Sequence, residues 1–269
     1  AAPETFSVGR DGVALAGVAG DGAHTYAALT HVPEAPATSP AVSTVEAHHA
    51  GSLAWSTRLT GRAGPLVAVG GQVFVTLSGH GALGVARGDD VRGEPGGAVI
   101  AIDARTGAPT WRALLHASEW VVLAAAAAAP DGLVVAGSFS GSLRVGDHVV
   151  SSGGRADGFV AKLTSAGEIA WLVRMGGPGA DAIQGVAAQG SAIAIAGTFA
   201  AGADLLGHPL PAFDEKMPFT DGFVAVLDPA GGYRWSAAFG GKRPDAVTGV
   251  AIDGDGRIAV AAAARDTMK

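Results

Sequence analysis

The sequence predicts an all-β fold of repeated four-stranded antiparallel units, because two patterns recur along the chain. Four of the five tryptophans end a Gly-x-x-x-Trp pattern, and these tryptophans are 56, 60 and 64 residues apart. The four pairs are Gly51 and Trp55, Gly107 and Trp111, Gly167 and Trp171, and Gly231 and Trp235. Apolar segments broken by glycine-containing turns lie between them. Four strands in each repeat, with turn residues throughout, are typical of the blades of a β-propeller.

The tryptophan pattern closes a predicted β-hairpin, seen most clearly at residues 157–171 and 221–235. Phe159, Ala161 and Leu163 alternate along the first strand and therefore share one face of it. The glycine that ends the following turn can adopt a positive φ, which tight hairpins need. We expect the glycine to shape the turn and the large tryptophan ring to pack between neighbouring sheets.

The other half of each repeat is a hairpin of small apolar residues, with copies at residues 17–29, 66–79, 125–141, 185–199 and 249–263. Alternation is weak, so both faces are predicted to be buried, with sheets in close approach. The six alanines at 124–129 would favour a helix if taken alone. Ala125 nevertheless follows Trp111 at the distance at which Gly185 follows Trp171, so the repeat predicts a strand there.

The repeats occupy residues 13–265, between an N-terminal segment at 1–12 and a C-terminal end at 266–269. Four to five blades are visible, and both ends carry the same small-residue half-unit. Such ends do not complement one another, so we expect the chain to be part of a larger propeller. The alternative is closure on five blades, one of them incomplete, which would leave an exposed strand edge.

Composition excludes several function classes. The net charge is −6 and no run of lysine or arginine occurs, so nucleic acid is not an expected partner. The absence of cysteine excludes disulfides, thiolate metal sites and cysteine nucleophiles. No apolar run approaches the roughly 20 residues of a transmembrane helix. The sequence contains no Gly-x-Ser-x-Gly, His-Glu-x-x-His or Walker motif, so no enzyme activity is predicted.

Residues 136–187 combine a Gly-Ser-Phe-x-Gly start with Asp-Gly-Phe-Val-Ala-Lys-Leu, Gly-x-x-x-Trp and a Gly-Gly pair. This segment resembles the bacterial SBBP-type β-propeller repeats that are common in large secreted or surface proteins of myxobacteria. Residues 197–253 fit the same pattern, so the resemblance covers about 136–265. Residues 96–111 are more similar to a quinoprotein-type blade. The SBBP resemblance implies an extracellular, cell-surface or periplasmic location and a binding or scaffold role, and it carries no catalytic residues.

We therefore expect a non-catalytic β-propeller that binds a protein or a surface glycan. One alternative is a subunit of an envelope assembly complex, which is built on similar blades. A second alternative is a quinone-dependent dehydrogenase, which is supported only by the similarity of residues 96–111 to a quinoprotein-type blade. No cofactor is expected, apart from calcium at one candidate loop.

That candidate calcium loop contains Asp253 and Asp255 in the segment 252–260. Clustered carboxylates suit a hard cation, but a full loop needs further acidic ligands and a bidentate glutamate. The other interpretation is a hairpin turn, in which Asp-Gly supplies the required backbone angles.

Two further motifs have a functional and a plain structural interpretation. Glu46 and His48 could share a strand face and hold a metal, whereas His49 points to the opposite face; the plain alternative is a solvated turn. An Arg-Gly-Asp sequence lies within 86–90 in a glycine-rich loop, where chance occurrence competes with an adhesion motif. The whole loop 80–96 is the best candidate for a functional insertion, because binding residues concentrate on such loops.

Two insertions interrupt the repeats. Residues 212–221 carry Phe213, Met217 and Phe219 beside two acidic residues, and three large apolar side chains in one loop suggest contact with a partner. The alternative is a loop that folds back and buries them. Residues 32–47 are rich in Pro, Ser and Thr, and predict an extended, partly disordered connector.

Overall fold

The computed structural model describes residues 12–31, 41–80, 83–85, 95–213 and 219–263. Every regular element in these ranges is a β-strand, and the strand pairs of the sheets are antiparallel. The predicted all-β class is confirmed. In the part of the chain that the structure describes, no helix is long and apolar enough to cross a bilayer.

The chain divides into two compact units, Ala1–Leu114 and Leu115–Lys269. The first unit contains two four-stranded meanders in chain order. Sheet 1 consists of β1 (Val13–Gly20), β2 (Thr25–His31), β3 (Val42–His49) and β4 (Ser52–Thr60), with the short β7 (Gly84–Val85) on the outer edge of β4. Sheet 2 consists of β5 (Arg62–Val69), β6 (Gln72–His80), β8 (Pro95–Asp103) and β9 (Pro109–Ala117).

The second unit contains two more meanders and a final hairpin. Sheet 3 consists of β10 (Trp120–Ala129), β11 (Gly132–Ser140), β14 (Asp157–Thr164) and β15 (Ile169–Gly176). Sheet 4 consists of β16 (Ala182–Gln189), β17 (Ala192–Phe199), β20 (Asp221–Leu227) and β21 (Tyr233–Phe239). Sheet 5 is the hairpin of β22 (Ala246–Ile252) and β23 (Ile258–Ala263).

The sheets depart from the predicted four strands because short insertions pair with the sheet before them. The hairpin of β12 (Ser142–Val145) and β13 (His148–Ser151) leaves sheet 3 after its second strand and pairs with residues 115–117 of β9. The hairpin of β18 (Asp204–Leu205) and β19 (His208–Pro209) leaves sheet 4 at the same point and pairs with β15. The five sheets therefore have five, six, six, four and two strands.

Every sheet has the same irregularity in its first strand. The register between first and second strand shifts at Leu15/Gly17, Ala63/Leu66, Leu123/Ala125, Ile183/Gly185 and Val247/Gly249. Such β-bulges bend and twist a strand locally. In sheets 1 and 4 the residue after the bulge is a glycine that lies close to the following sheet. A Cβ on Gly17 would lie 3.0 Å from the carbonyl oxygen of Gly64, and one on Gly185 would lie 3.1 Å from the Cα of Gly249.

The core lies on the second and third strands of the complete sheets. All residues of β20 and all but the last of β14 are buried, as are most residues of β11 and β17. Phe159 lies opposite Gly137 and Phe223 lies opposite Gly197, so in sheets 3 and 4 the ring on the third strand faces a glycine on the second. Apolar side chains on both faces explain why these strands show almost no alternation in sequence.

Two sequence predictions about secondary structure had opposite outcomes. The alanine run at 124–129 is strand, as predicted, because it pairs with β11 along its length. The interpretation of 32–47 as a connector is wrong for its second half, since β3 begins at Val42. Buried polar residues stabilise this strand. The Ser43 hydroxyl donates to the Gly61 carbonyl at 2.8 Å and lies 3.0 Å from the Thr30 hydroxyl. Residues 32–40 lie outside the described residues.

The glycine that faces each phenylalanine provides a stability test. A Cβ on Gly137 would overlap the carbonyl oxygen of Val122 on the neighbouring strand. We expect Gly137→Ala to lower the free energy of unfolding by about 2 kcal/mol or more, because the backbone of β10 must move. Gly254→Ala is the control, since no atom lies within 4 Å of a Cβ there. Equal urea midpoints for the two variants would show that the close packing of β10 on β11 is wrong.

Candidate functional site

The fixed spacing of Gly-x-x-x-Trp follows from a turn and a bulge. The glycines have φ values of +78° at Gly51, +74° at Gly107, +87° at Gly167 and +85° at Gly231, which favour glycine. The strand register then shifts immediately before the tryptophan in three of these hairpins, at Ala47/His48, Lys162/Leu163 and Val226/Leu227. The residue directly before the tryptophan therefore has no partner in the strand register, and the tryptophan lies at the same position after the bulge in each of these hairpins.

Each of two tryptophans packs on the turn of the next sheet. Trp55 in sheet 1 donates its indole N–H to the Ala104 carbonyl at 2.8 Å, and a Cβ on Gly107 would lie 2.8 Å from its ring. Trp171 in sheet 3 donates to the Pro229 carbonyl at 3.0 Å, and a Cβ on Gly231 would lie 2.9 Å from its ring. The glycine of each pair thus serves its own turn and also receives the ring of the preceding sheet.

The other two tryptophans have different surroundings. Trp111 lies with its ring centroid 5.6 Å from that of Phe74 in the same sheet. Trp235, on the outer strand of sheet 4, is 42% exposed. Its indole N–H has no hydrogen-bond partner in the described part of the chain.

A cleft of about 340 Å³ opens beside the Trp171 contact, between turns of sheets 3 and 4. Its lining includes Asp131, Lys162, Ser191 and Pro229. The Lys162 side chain is buried, and its ammonium lies 2.8 Å from Asp131 Oδ1 and 3.4 Å from the Pro229 carbonyl oxygen. The hydrogen bond from Lys162 lowers the pKa of the exposed Asp131 carboxyl. Lys162 on β14 thus connects the turn that contains Asp131 to the Pro229 carbonyl, which also accepts from Trp171, and this charge-assisted bonding has a structural role.

A buried carboxylate cluster lies within the second unit. Asp181 accepts backbone N–H bonds from Gly177 at 2.9 Å and Ala200 at 2.7 Å. Asp157 accepts from the Arg174 side chain and from the Gly153 N–H. Burial raises the pKa of Asp181 to about 6, over the opposing effect of its two N–H donors, and the charge of Asp157 adds to this rise.

Sequence reasoning missed the aspartate cluster, although a signal for it exists. Asp157 and Asp181 recur as Asp221 and Asp245, each 64 residues downstream. Asp221 has a matching role, since its carboxylate accepts the Phe213 N–H at 2.9 Å. The aspartates hold the connecting segments against the sheets. A polar residue that recurs with the period of the structural repeat indicates a structural hydrogen-bonding role, because buried polar groups need partners at the same place in every copy.

The calcium candidates lie in the turn between β22 and β23. The Asp253 carboxylate accepts the N–H groups of Asp255 at 2.9 Å and Arg257 at 2.8 Å. The Arg257 guanidinium contacts both carboxylates, at 3.3 Å to Asp253 and 3.0 Å to Asp255. The described residues contain no group of three or more histidine or acidic side chains placed to hold a metal.

The other candidate residues are spread over the two units. His48 Nε2 lies 3.2 Å from Glu46 Oε2 along β3, and His49 bonds the Ala23 carbonyl. Phe213 is 39% exposed, and Phe219 is partly exposed. Met217 and the Arg-Gly-Asp sequence within 86–90 lie outside the described residues.

Comparison with known proteins gives no assignment. No protein-family model matches this chain, and no curated protein matches it significantly.

The tryptophan contact predicts a difference between equivalent residues. We expect Trp171→Ala to cost about 3 kcal/mol of unfolding free energy, since it removes a packed ring and an N–H donor. Trp171→Phe keeps a ring and should cost about 1 kcal/mol, the value of one hydrogen bond. Trp235→Ala is the matched control and should cost no more than about 1 kcal/mol, because its ring is exposed. Chemical denaturation measures all three, and a Trp171→Ala variant as stable as Trp235→Ala would contradict the packing role.

The Asp181 carboxylate predicts a pH dependence. Its pKa is raised from 3.8 to about 6 in the folded protein, so the unfolded chain ionises first. The folded state therefore loses stability as pH rises between these values, by about 1–3 kcal/mol in total, and no further above them. Asp181→Asn removes this part of the curve, whatever its constant cost in lost N–H bonds. Unfolding midpoints of both proteins are measured at pH 4, 5, 6 and 7. We expect the stability of the wild type, relative to that of Asp181→Asn, to fall as the pH rises over this range.

Proposed function

We propose that this chain forms blades of a β-propeller that serves as a non-catalytic binding or scaffold module outside the cytoplasm. The observation that carries the proposal is the repeated joint: the indole of one sheet lies on the turn glycine of the next, at Trp55 with Gly107 and at Trp171 with Gly231. Consecutive antiparallel meanders joined face to face through their first strands are what a propeller requires.

The proposal extends to location through the resemblance of residues 136–265 to SBBP-type repeats. Proteins with such repeats are secreted or lie on the cell surface. Antiparallel sheets hold their connecting loops in place, and binding residues concentrate on such loops. A protein or a surface glycan is the proposed partner.

The loop at 212–221 is the proposed contact with that partner. Phe213 holds its backbone by a bond to the buried Asp221, yet leaves 39% of its surface exposed. A backbone fixed in this way loses little entropy on binding, and an exposed aromatic ring on it is typical of anchor residues at interfaces.

The location of the protein and its binding to a partner can be tested together in native cells that express a tagged form of the chain. We expect protease added to intact cells to digest the protein, and chemical cross-linking to give a discrete adduct. Phe213→Ser should lower the yield of that adduct by about tenfold, whereas Val149→Ser, at a 56% exposed valine on β13, should leave it unchanged. Resistance to protease both in intact cells and after permeabilisation of the outer envelope would contradict the location, and equal adduct yields would contradict the role of Phe213.

A further inference from the structure

Two segments at one end of sheet 1 bring His24 and His49 together. His24 is the last residue of the turn between β1 and β2, and His49 is the last residue of β3. Thr25 lies opposite His48 in the antiparallel register, so the residue before Thr25 and the residue after His48 are neighbours. The centroids of the two imidazole rings are 5.2 Å apart. The pairing of β2 with β3 thus creates a histidine pair that no local sequence motif shows.

The separation of the two rings suits a tetrahedral metal ion. A zinc–nitrogen bond of about 2 Å places the ion about 3.2 Å from the centre of an imidazole that binds it. Two imidazoles at the tetrahedral angle then have centroids about 5.2 Å apart, whereas two at a right angle have centroids about 4.5 Å apart. The separation of 5.2 Å between the rings of His24 and His49 agrees with the tetrahedral value.

The Nδ1 atom of each ring faces an oxygen acceptor. His49 Nδ1 lies 2.9 Å from the carbonyl oxygen of Ala23. A carbonyl oxygen can only accept, so Nδ1 carries the proton and the lone pair of the neutral ring is on Nε2. His24 Nδ1 lies 3.7 Å from Asp21 Oδ2, and this carboxylate accepts the Tyr26 hydroxyl at 2.6 Å. A carbonyl or a carboxylate beside the other ring nitrogen is typical of histidines that bind a metal.

The Nε2 atoms distinguish this pair from the other histidines of sheet 1. His31 Nε2 bonds to a threonine hydroxyl at 3.0 Å, and His48 Nε2 lies 3.2 Å from Glu46. Among the residues that the structure describes, none forms a hydrogen bond with Nε2 of His24 or His49. The His24 side chain is 29% exposed and His49 is exposed, so an ion from solvent can reach both rings.

We propose that Nε2 of His24 and Nε2 of His49 bind a divalent transition-metal ion of the zinc type. No third histidine or acidic side chain of the described residues joins them as a ligand. Two tetrahedral positions are therefore left for water or for a donor group of another molecule, in contrast to a structural zinc site with four protein ligands. The inference concerns sheet 1 alone and does not rest on the proposed binding role.

This pair differs from the metal candidates that the sequence suggested. Glu46 and His48 were expected to share a strand face, with His49 on the opposite face, and they bond to each other along β3. The imidazole near His49 comes instead from the turn that precedes β2. An ion bound to His24 and His49 joins that turn to the end of β3 and therefore stabilises the folded state.

Zinc titration of the chain without a histidine tag tests the proposal. Calorimetry with zinc chloride at about pH 7.5, where free imidazole is mostly neutral, should show one ion per chain. His24→Gln and His49→Gln should each weaken zinc binding by about tenfold or more, because one of two protein ligands is lost. His31→Gln is the matched control, since this histidine is exposed in the same sheet and its Nε2 is already bonded. Its zinc affinity should equal that of the wild type.

Two further measurements separate a bound ion from non-specific association. In ¹⁵N NMR spectra of the histidine rings, zinc should shift the Nε2 signals of His24 and His49 and leave His49 Nδ1 protonated. Zinc should also raise the urea midpoint of the wild type, and leave that of a variant with both His24→Gln and His49→Gln unchanged, because only the folded wild type holds both ligands.

Equal zinc affinities of His24→Gln, His49→Gln and His31→Gln would overturn the proposal, as would zinc bound through Nδ1 of His49. Urea midpoints measured without zinc establish that the variants fold. If one of them does not, the NMR spectra of the wild type decide, and unchanged Nε2 signals at saturating zinc exclude the site.

Discussion

Within each of the two units, the packing of one sheet on the next depends on one contact, in which an indole ring lies on the turn of the following sheet. The ring needs a surface without a side chain, and the turn needs a residue with positive φ, so one glycine meets both requirements. The indole N–H then satisfies a turn carbonyl that would otherwise face an apolar ring. Removal of either partner changes two sheets at once.

Much of the fold could be predicted from the sequence because the repeat keeps its chemistry. The alanine run at 124–129 could be assigned to a strand only by its distance from Trp111, since its intrinsic preference is for a helix. Tertiary pairing with β11 outweighs that preference. The same reasoning failed at β3, where Ser43, Thr44 and Glu46 resemble a loop. Ser43 and Thr44 bond to groups outside the strand, at Thr30, Gly61 and His31, whereas Glu46 bonds to His48 of β3 itself.

Less of the candidate site could be predicted, because its residues meet across sheets. Lys162 contacts Asp131 and the Pro229 carbonyl, which lie 31 and 67 positions away in the sequence, and no local pattern indicates either contact. The short hairpins β12–β13 and β18–β19 were also missed. Each hairpin lies in sequence between the second and third strands of one sheet but pairs with the preceding sheet. A repeat pattern read along the chain does not show to which sheet such a strand belongs.

The hairpins β12–β13 and β18–β19, which pair with the preceding sheet, bear on how a repeat can be added to such a chain. A duplicated repeat of this kind would bring a tryptophan for the sheet after it, a turn glycine for the sheet before it and a hairpin that covers its predecessor's outer edge. A junction that keeps the indole-on-glycine contact, as those at Trp55 and Trp171 do, would then form without adjustment of its neighbours. A whole repeat would add both sides of such contacts, whereas a partial repeat would supply only one side.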